Sequence, residues 1–315
     1  MNDAAPPGRS RPAITCFDIG GSAIKGGVAR DPAAIAPLGH VPTPLHDFDD
    51  FVAALSTLAG RAPAEGPVAI STTGVVDPAT GVITCANIPC IDGRALAADL
   101  AARLGRPVLI ANDADCFALA EAGLGVGQGH RIVFGAILGT GVGGGLVIDG
   151  RIVSGAGGFA GEWGHGPVAA TRVGDPPVEI PRFPCGCGLS GCVDTVGGAR
   201  GMERLHHHLH GAALPSTAIV AAWLAGDAAA ERTIEVQVNL LASPLALVLN
   251  VVGADIVPVG GGLGRVPELV ARLDGEVRRR ILRRADRPVV VPGRIAGEAG
   301  LVGAALLALS PGGLE

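Results

Sequence analysis

Residues 131–155 read RIVFGAILGTGVGGGLVIDGRIVSG. Gly139, Gly141 and Gly144 satisfy the spacing G-x-G-x-x-G directly after an apolar, β-prone run. In a dinucleotide-binding fold that spacing must open a helix. Here the chain continues as GLVIDGRIV, a strand, an Asp-Gly turn and a second strand, so the dinucleotide reading fails on context. What survives is a glycine-rich β-turn, Gly139-Thr140-Gly141, whose backbone N–H groups can approach a phosphate with no side chain in the way. The G-x-x-x-x-G-K-[ST] loop is absent, which removes the P-loop class.

The same device occurs twice more. ITCFDIGGSAIKGGVA, residues 14–29, reads as strand, glycine turn, strand, with Asp18 at the end of the first strand. Gly20 and Gly21 allow the bend, Ser22 and Lys25 are candidate phosphate contacts, and the Asp18 carboxylate suits Mg²⁺ held through water. The plain alternative for these residues is a simple β-hairpin. ADIVPVGGGLG, residues 254–264, is a buried strand followed by Gly260-Gly261-Gly262, bare backbone against which an adenine and ribose could lie.

Between these turns strands alternate with helices, which implies an α/β domain. Helices are expected at 47–60, 93–104, 197–210, 216–250 (with Pro244 as an interruption or kink) and 266–282, and strands at 107–110 and 289–291. The final GEAGLVGAALLAL is a small-residue helix suited to close packing. The strand PVLIAN ends in Asn112-Asp113-Ala114-Asp115 and a helix follows. Polar residues at the carboxyl end of an apolar strand suit a ligand crevice, and Asp113 is the best-placed general base for a bound hydroxyl. Helix N-capping accounts for any one of these three polar residues, and less easily for all of them.

FAGEWGHGPV (159–168) and CGCGLSGCVD (185–194) place Glu162, His165, Cys185, Cys187 and Cys192 in one stretch. Three thiolates and an imidazole form a Cys₃His zinc set, and Glu162 and His165, three apart, share a face on a helical turn.

The chain has 315 residues, 48% hydrophobic and 17% charged, with 50 glycines and a net charge of −5, which suits two domains with a sizeable core rather than disorder. No basic stripe points to nucleic acid. The cluster Arg278–Arg287 reads as the solvated face of an amphipathic helix, and His206–His208 with His210 as a polar helix face. Seven cysteines, three of them within eight residues, suit a metal better than a disulfide framework; Cys16, Cys85, Cys90 and Cys116 read as packing residues. Residues 1–12 read as a mobile tail without a signal-peptide core, and no uninterrupted apolar run spans a membrane. A cytoplasmic protein with reduced thiols and no membrane partner is expected.

Taken together, DIGGSAIKGG (18–27), NIP (87–89), NDAD (112–115), LGTGVGGGL (138–146), DGRIVSG (149–155), GEWGH (161–165), CGCGLSGCVD (185–194) and IVPVGGGL (256–263) resemble the ROK family of sugar kinases and repressors, in family order across nearly the whole chain. NDADCFALAEA, ILGTGVGGGLVIDG and the 19-residue gap between His165 and Cys185 are most similar to its N-acetylglucosamine kinase branch; STTG (71–74) leans toward N-acetylmannosamine kinases.

The resemblance implies a two-domain actin-like ATPase (ribonuclease H-like) sugar kinase fold. Its expected parts are an N-terminal α/β domain over 13–120 joined by the C-terminal helix 299–310, and a larger one over 121–298 with a zinc module at 162–194. It implies Asp18, Gly20, Gly21, Ser22 and Lys25 at the first phosphate loop, Gly139, Thr140 and Gly141 at the second, and Gly260, Gly261 and Gly262 at the nucleoside. Asp113 becomes the catalytic base. Asn87, Asn112, Asp113, Glu162, His165 and Asp194 become sugar contacts, and His165, Cys185, Cys187 and Cys192 ligands of a structural zinc. Asp18 would hold Mg²⁺ through water. The implied activity is ATP-dependent phosphorylation of the 6-hydroxyl of N-acetyl-D-glucosamine by a homodimer. Glucokinase, N-acetylmannosamine kinase and a non-catalytic sugar sensor are the alternatives. The family's repressors carry a helix-turn-helix before the first glycine hairpin, and the 17 residues before Asp18 are too few for one. The chain departs from the family pattern at Ser22, Ala23, Asp115 and Asp194. Asp194 stands where the family has a glutamate near the anomeric end of the sugar, so sugar preference is expected to be read there.

Overall fold

Alternation along the first strand explains the first sheet. In β1 (Ile14–Ile19) Ile14 and Cys16 join one apolar cluster while Phe17 and Ile19 join another, the period-two pattern of a strand covered on both faces. The computed structural model describes residues 12–62, 64–295 and 297–309, so the tail expected at 1–12 lies, but for Pro12, outside the described residues. The chain divides into two compact units. One takes Met1–Cys116, Ala156–Gly158 and Glu298–Glu315, the other Phe117–Gly155 and Phe159–Gly297.

In the first unit β1 is followed by β2 (Ala23–Ala29), β3 (Ile35–Pro42), helix α1 (Phe48–Ala59), β4 (Val68–Thr72), the short β5 (Val75–Val76) and β6 (Ile83–Thr84), α2 (Leu96–Leu104) and β7 (Val108–Asn112). The sheet order is β3-β2-β1-β4-β7, with β1–β2 and β2–β3 antiparallel and β1–β4 and β4–β7 parallel. Asp47 caps α1 by accepting from the Asp50 N–H, as a helix start with an acidic first turn should. Phe51, Leu55, Leu58, Leu96 and Leu100 of α1 and α2 cover one sheet face. Leu301, Ala304, Ala305 and Leu309 of the C-terminal helix Ala299–Leu309 cover the other. Each such Leu or Phe contributes about 1.5–3 kcal/mol by burial. The small residues of that helix are required: a Cβ on Gly303 would sit 2.2 Å from the Cys116 carbonyl oxygen.

α3 (Asp113–Gly123) begins in the first unit and ends in the second. The second unit continues with β8 (Ile132–Leu138), β9 (Val142–Ile148), β10 (Arg151–Ile152), β11 (Arg172–Val173), β12 (Val178–Glu179), α4 (Asp194–Gly197), α5 (Ala199–His210), α6 (Ser216–Leu224), α7 (Ala228–Val252), β13 (Val257–Gly260), α8 (Gly261–Gly264), α9 (Pro267–Arg278) and β14 (Val290–Pro292). Its sheet order, β10-β9-β8-β13-β14, repeats that of the first: two antiparallel pairings, then two parallel ones. This duplication is the actin-like architecture the motifs imply. The strand after Gly141 is β9, and Asp149 and Gly150 (φ 52° and 76°) turn it into β10, as the Asp-Gly signal predicts. The C-terminal helix Ala299–Leu309 is α10.

Four local expectations need correcting. The helix over 216–250 is two helices, because Gly226 (φ 87°) and the Asp227 N-cap break it; Pro244 is accommodated inside α7. α7 is long and apolar enough to cross a membrane by length and composition (mean hydropathy 1.5), but Ile234, Val238, Leu241, Leu245 and Leu249 lie in the core of the second unit. α9 ends at Arg278, so the arginine cluster is not one helical face; Arg278, Arg279 and Arg280 pair with Asp274 and Glu276. His206 is not on a solvated face: it is 3% exposed, with Nδ1 2.9 Å from Thr233 Oγ1.

Candidate active site

The first glycine turn joins β1 to β2. Gly20 N–H donates to Ala23 O (3.0 Å), and the Thr43 hydroxyl donates to Gly20 O (2.7 Å), pinning the turn to the end of β3. Neither Gly20 nor Gly21 has a positive φ, and a Cβ on either would meet nothing closer than 3.7 Å. Packing therefore gives no reason for glycine at these positions, and the backbone there is left bare. Ser22 is exposed at the tip. Asp18, opposite Ser71 in the parallel β1–β4 register, accepts from the Ser71 hydroxyl at Oδ1 (3.2 Å), and Lys25 Nζ stands 3.8 Å from Oδ2. Burial raises the Asp18 pKa, and Lys25 and Ser71 oppose the rise. A Cβ on Gly300, in the first turn of α10, would meet Asp18 Oδ1 at 2.2 Å, so the bare start of that helix faces the carboxylate.

At the carboxyl end of β7, Asn112 is the residue that caps α3. Its Oδ1 accepts from Ala114 N–H (2.8 Å), and its Nδ2 donates to Gly74 O (2.8 Å) in the loop after β4. Asp113 stands exposed at the first position of the helix, and Asp115, in the same first turn, is buried. Asn87 is exposed and donates to the Thr73 hydroxyl (3.1 Å). Thus Asp18, Gly20, Gly21, Ser22, Lys25, Asn87, Asn112 and Asp113 all belong to the first unit, on strand ends and adjacent loops.

The other expected residues belong to the second unit. Gly139 N–H donates to Gly141 O (3.0 Å), and the first N–H groups of α5 take the turn's carbonyls, Ala199 to Gly139 O at 2.8 Å and Arg200 to Thr140 O at 3.3 Å. Gly139 resembles Gly20: a Cβ would find Ile137 Cγ2 at 3.7 Å, an ordinary contact. Gly141 is different, since a Cβ there would meet Asp194 Oδ1 at 2.1 Å. The turn at Gly260–Gly262 runs straight into the short helix α8. There Gly261 (φ 82°) is fixed by its own backbone and by the Leu138 carbonyl, 2.4 Å from a Cβ, while Gly262 is exposed with nothing near it.

Glu162 and His165 lie on a turn rather than the helical turn their spacing suggests. His165 N–H donates to Glu162 O (3.1 Å), and Trp163 Nε1 donates to Gly143 O (2.8 Å), nailing the loop to β9. His165 Nε2 is 3.8 Å from Glu162 Oε2, and Nδ1 is 3.6 Å from Cys185 Sγ. Burial raises the Glu162 pKa and His165 opposes it. Cys187 Sγ and Cys192 Sγ are 3.7 Å apart, and all four candidate ligand atoms lie within 4.8 Å of one another. Zn–S bonds of about 2.3 Å and a Zn–N bond of about 2.05 Å at tetrahedral angles require S···S of about 3.8 Å and S···N of about 3.6 Å. The Cys187–Cys192 and Cys185–His165 pairs, at 3.7 Å and 3.6 Å, stand at those separations. The Leu189 N–H, first among its neighbours, lowers the Cys187 thiol to about 7.

Sequence reasoning missed Ser71 and Gly300 at Asp18, and the embrace of Asp194 by the second turn. Ser71 could have been found only from the strand register.

Comparison with known proteins agrees with this geometry along the chain. An N-acetyl-D-glucosamine kinase from Pectobacterium atrosepticum is 38% identical over 297 residues, covering 93% of this chain and 98% of that protein. An N-acetylgalactosamine kinase from Shewanella is 36% identical over 295 residues, 92% of this chain and 95% of that one. The crystal structure of a ROK family glucokinase from Streptomyces griseus in complex with glucose and AMPPNP superposes with a TM-score of 0.75 at 27% identity, covering 95% of this chain and all (100%) of that one. The model of the ROK family matches residues 14–310, and with the duplicated sheets and the glycine turns in place the chain belongs to that family.

Proposed function

We propose that this protein is an ATP-dependent kinase that transfers the γ-phosphoryl group to the 6-hydroxyl of N-acetyl-D-glucosamine. The observation that carries the reading is the full-length likeness, 38% identity, to an N-acetyl-D-glucosamine kinase, in a chain that itself carries Asp113, the glycine turns and the Cys/His cluster. The N-acetylgalactosamine kinase at 36% makes the C4 epimer the competing substrate.

In this reading Asp113 accepts the proton of the 6-hydroxyl as its oxygen attacks the γ-phosphorus; the bond to the β-phosphate oxygen breaks and ADP leaves. A positioned base of this kind contributes about 10²–10⁴-fold. Asn112, fixed at both ends of its amide by Ala114 and Gly74, orients the start of α3 and hence Asp113. Gly20, Gly21 and Ser22 at one turn and Thr140 and Gly141 at the other offer N–H and hydroxyl donors to phosphate oxygens, with Lys25 adding charge. Gly260–Gly262 present bare backbone to the nucleoside. Asn87, Glu162 and His165 hold sugar hydroxyls. Asp18 would hold Mg²⁺ through water, and bound Mg²⁺ offsets the charge of the transferring phosphate. His165, Cys185, Cys187 and Cys192 would hold zinc, a closed four-ligand set that leaves no position for substrate and so supports the loop.

The test is a coupled assay of sugar-dependent ADP release over N-acetylglucosamine, N-acetylgalactosamine, N-acetylmannosamine, glucose, mannose, fructose and allose. The highest kcat/KM is expected for N-acetylglucosamine, with a 6-phosphate product. No sugar-dependent ADP release from any of them would overturn the proposal.

A further inference from the structure

Asp194 is the residue whose replacement of a family glutamate led us to expect sugar recognition. Its surroundings are those of the second phosphate turn. Oδ1 accepts from Val142 N–H at 2.8 Å, across 52 residues, and lies where a Cβ on Gly141 would stand, 2.1 Å away. Oδ2 faces Cys185 Sγ at 3.8 Å. The Asp194 N–H donates to Gly164 O at 2.8 Å, one residue before His165. Asp194 then opens α4, and four residues on Gly198 lies against the Gly141 backbone, 2.6 Å from a Cβ to its Cα. With the α5 N–H groups on the Gly139 and Thr140 carbonyls, the turn is held from one side by a single segment, 194–200, that springs from the Cys/His cluster. A glutamate would carry its carboxylate one methylene further, past the position from which Oδ1 accepts from Val142 N–H beside Gly141.

We propose that Asp194 is a positioning residue for the Gly139–Gly141 phosphate turn: its carboxylate fixes the Val142 N–H and with it the direction of the Thr140 and Gly141 N–H groups. Nucleotide affinity, more than sugar affinity, then depends on it. The inference rests on the kinase reading, which supplies the nucleotide.

Three variants test it. Asp194→Ala removes the acceptor, and KM for ATP and Kd for ADP should rise about tenfold, the effect of losing one charge-assisted hydrogen bond, while KM for the sugar stays within about twofold. Asp194→Asn keeps an acceptor oxygen at the same reach and should restore nucleotide affinity to within about threefold. Gly141→Ala should weaken ADP binding by itself because its methyl displaces Oδ1, yet add nothing on top of Asp194→Ala. A rise in sugar KM shared by the Ala and Asn variants with ADP affinity unchanged would overturn the inference, as would additive effects of Gly141→Ala and Asp194→Ala. Should Asp194→Ala fail to fold, the Asn variant and Gly141→Ala, read by ADP calorimetry, still decide. A wild-type protein that binds neither ADP nor ATP would overturn the kinase reading itself, a result distinct from wild-type binding that Asp194 substitutions leave untouched.

Discussion

Gly139→Ala separates a glycine kept for a ligand from a glycine kept for the fold. The added Cβ would meet only Ile137 Cγ2, at 3.7 Å, so the folded state accommodates it, and φ at Gly139 is not in the left-handed region. The unfolded chain loses backbone freedom, and the variant should be as stable as the wild type or more so by about 0.4–1 kcal/mol. In the proposed kinase reading the methyl nevertheless projects from a turn that the phosphate approaches closely. Displacing that phosphate from one backbone N–H forfeits a charge-assisted hydrogen bond of about 1.5–3 kcal/mol, which is about a 10- to 160-fold loss in kcat/KM for ATP. Gly261→Ala is the control. There φ is 82° and the Cβ would sit 2.4 Å from the Leu138 carbonyl, so the cost falls on stability first. Thermal unfolding and steady-state kinetics on both variants provide the assay. A drop in the unfolding temperature of Gly139→Ala, or an unchanged kcat/KM for ATP, would refute the argument that its glycine serves the nucleotide.

Two further outcomes follow from the site. Burial raises the Asp18 pKa, so the folded protein holds that proton more tightly than the unfolded chain, and stability falls as pH rises through the folded-state pKa. Asp18→Asn should therefore unfold at a higher temperature than wild type at pH 7, with the gap closing at acid pH where both are neutral, while kinase activity is lost; an unfolding temperature below wild type at pH 7 would contradict this. The Cys₃His geometry predicts one zinc per chain by elemental analysis, lost on Cys187→Ala with a lower unfolding temperature, because binding to a site formed only in the folded chain stabilises that chain. A wild-type preparation with no zinc even after refolding in its presence would count against the site.

What the sequence made legible was local. The strand–glycine–strand units at Gly20 and Gly139, the Asp149-Gly150 hairpin and the Cys-x-Cys spacing each depend on neighbours in the chain, where propensity and turn chemistry act. What escaped was long-range. That Asp18 faces Ser71 depends on the register of two parallel strands, and that Gly300 must be bare depends on where a helix almost 300 residues away begins. The Asp194–Val142 bond spans 52 residues, and the sequence presented Asp194 only as an acidic residue two after a cysteine, where the family resemblance pointed to the sugar. The histidine run misled for a related reason. Amphipathic spacing places His206 on the inner face of α5 with Met202 and Leu205, and only Thr233 on α7 explains why an imidazole can be buried there.

The central claim, that Asp113 moves the proton in a sugar phosphorylation, is tested most directly by Asp113→Asn in a single-turnover experiment with ATP and N-acetylglucosamine, with sugar affinity measured separately by calorimetry. Asparagine keeps the size and position at the start of α3 but cannot accept the proton as a carboxylate does. The account predicts a fall in the chemical step of about 10²–10⁴-fold with sugar Kd changed less than about threefold. Turnover within a few-fold of wild type would contradict it.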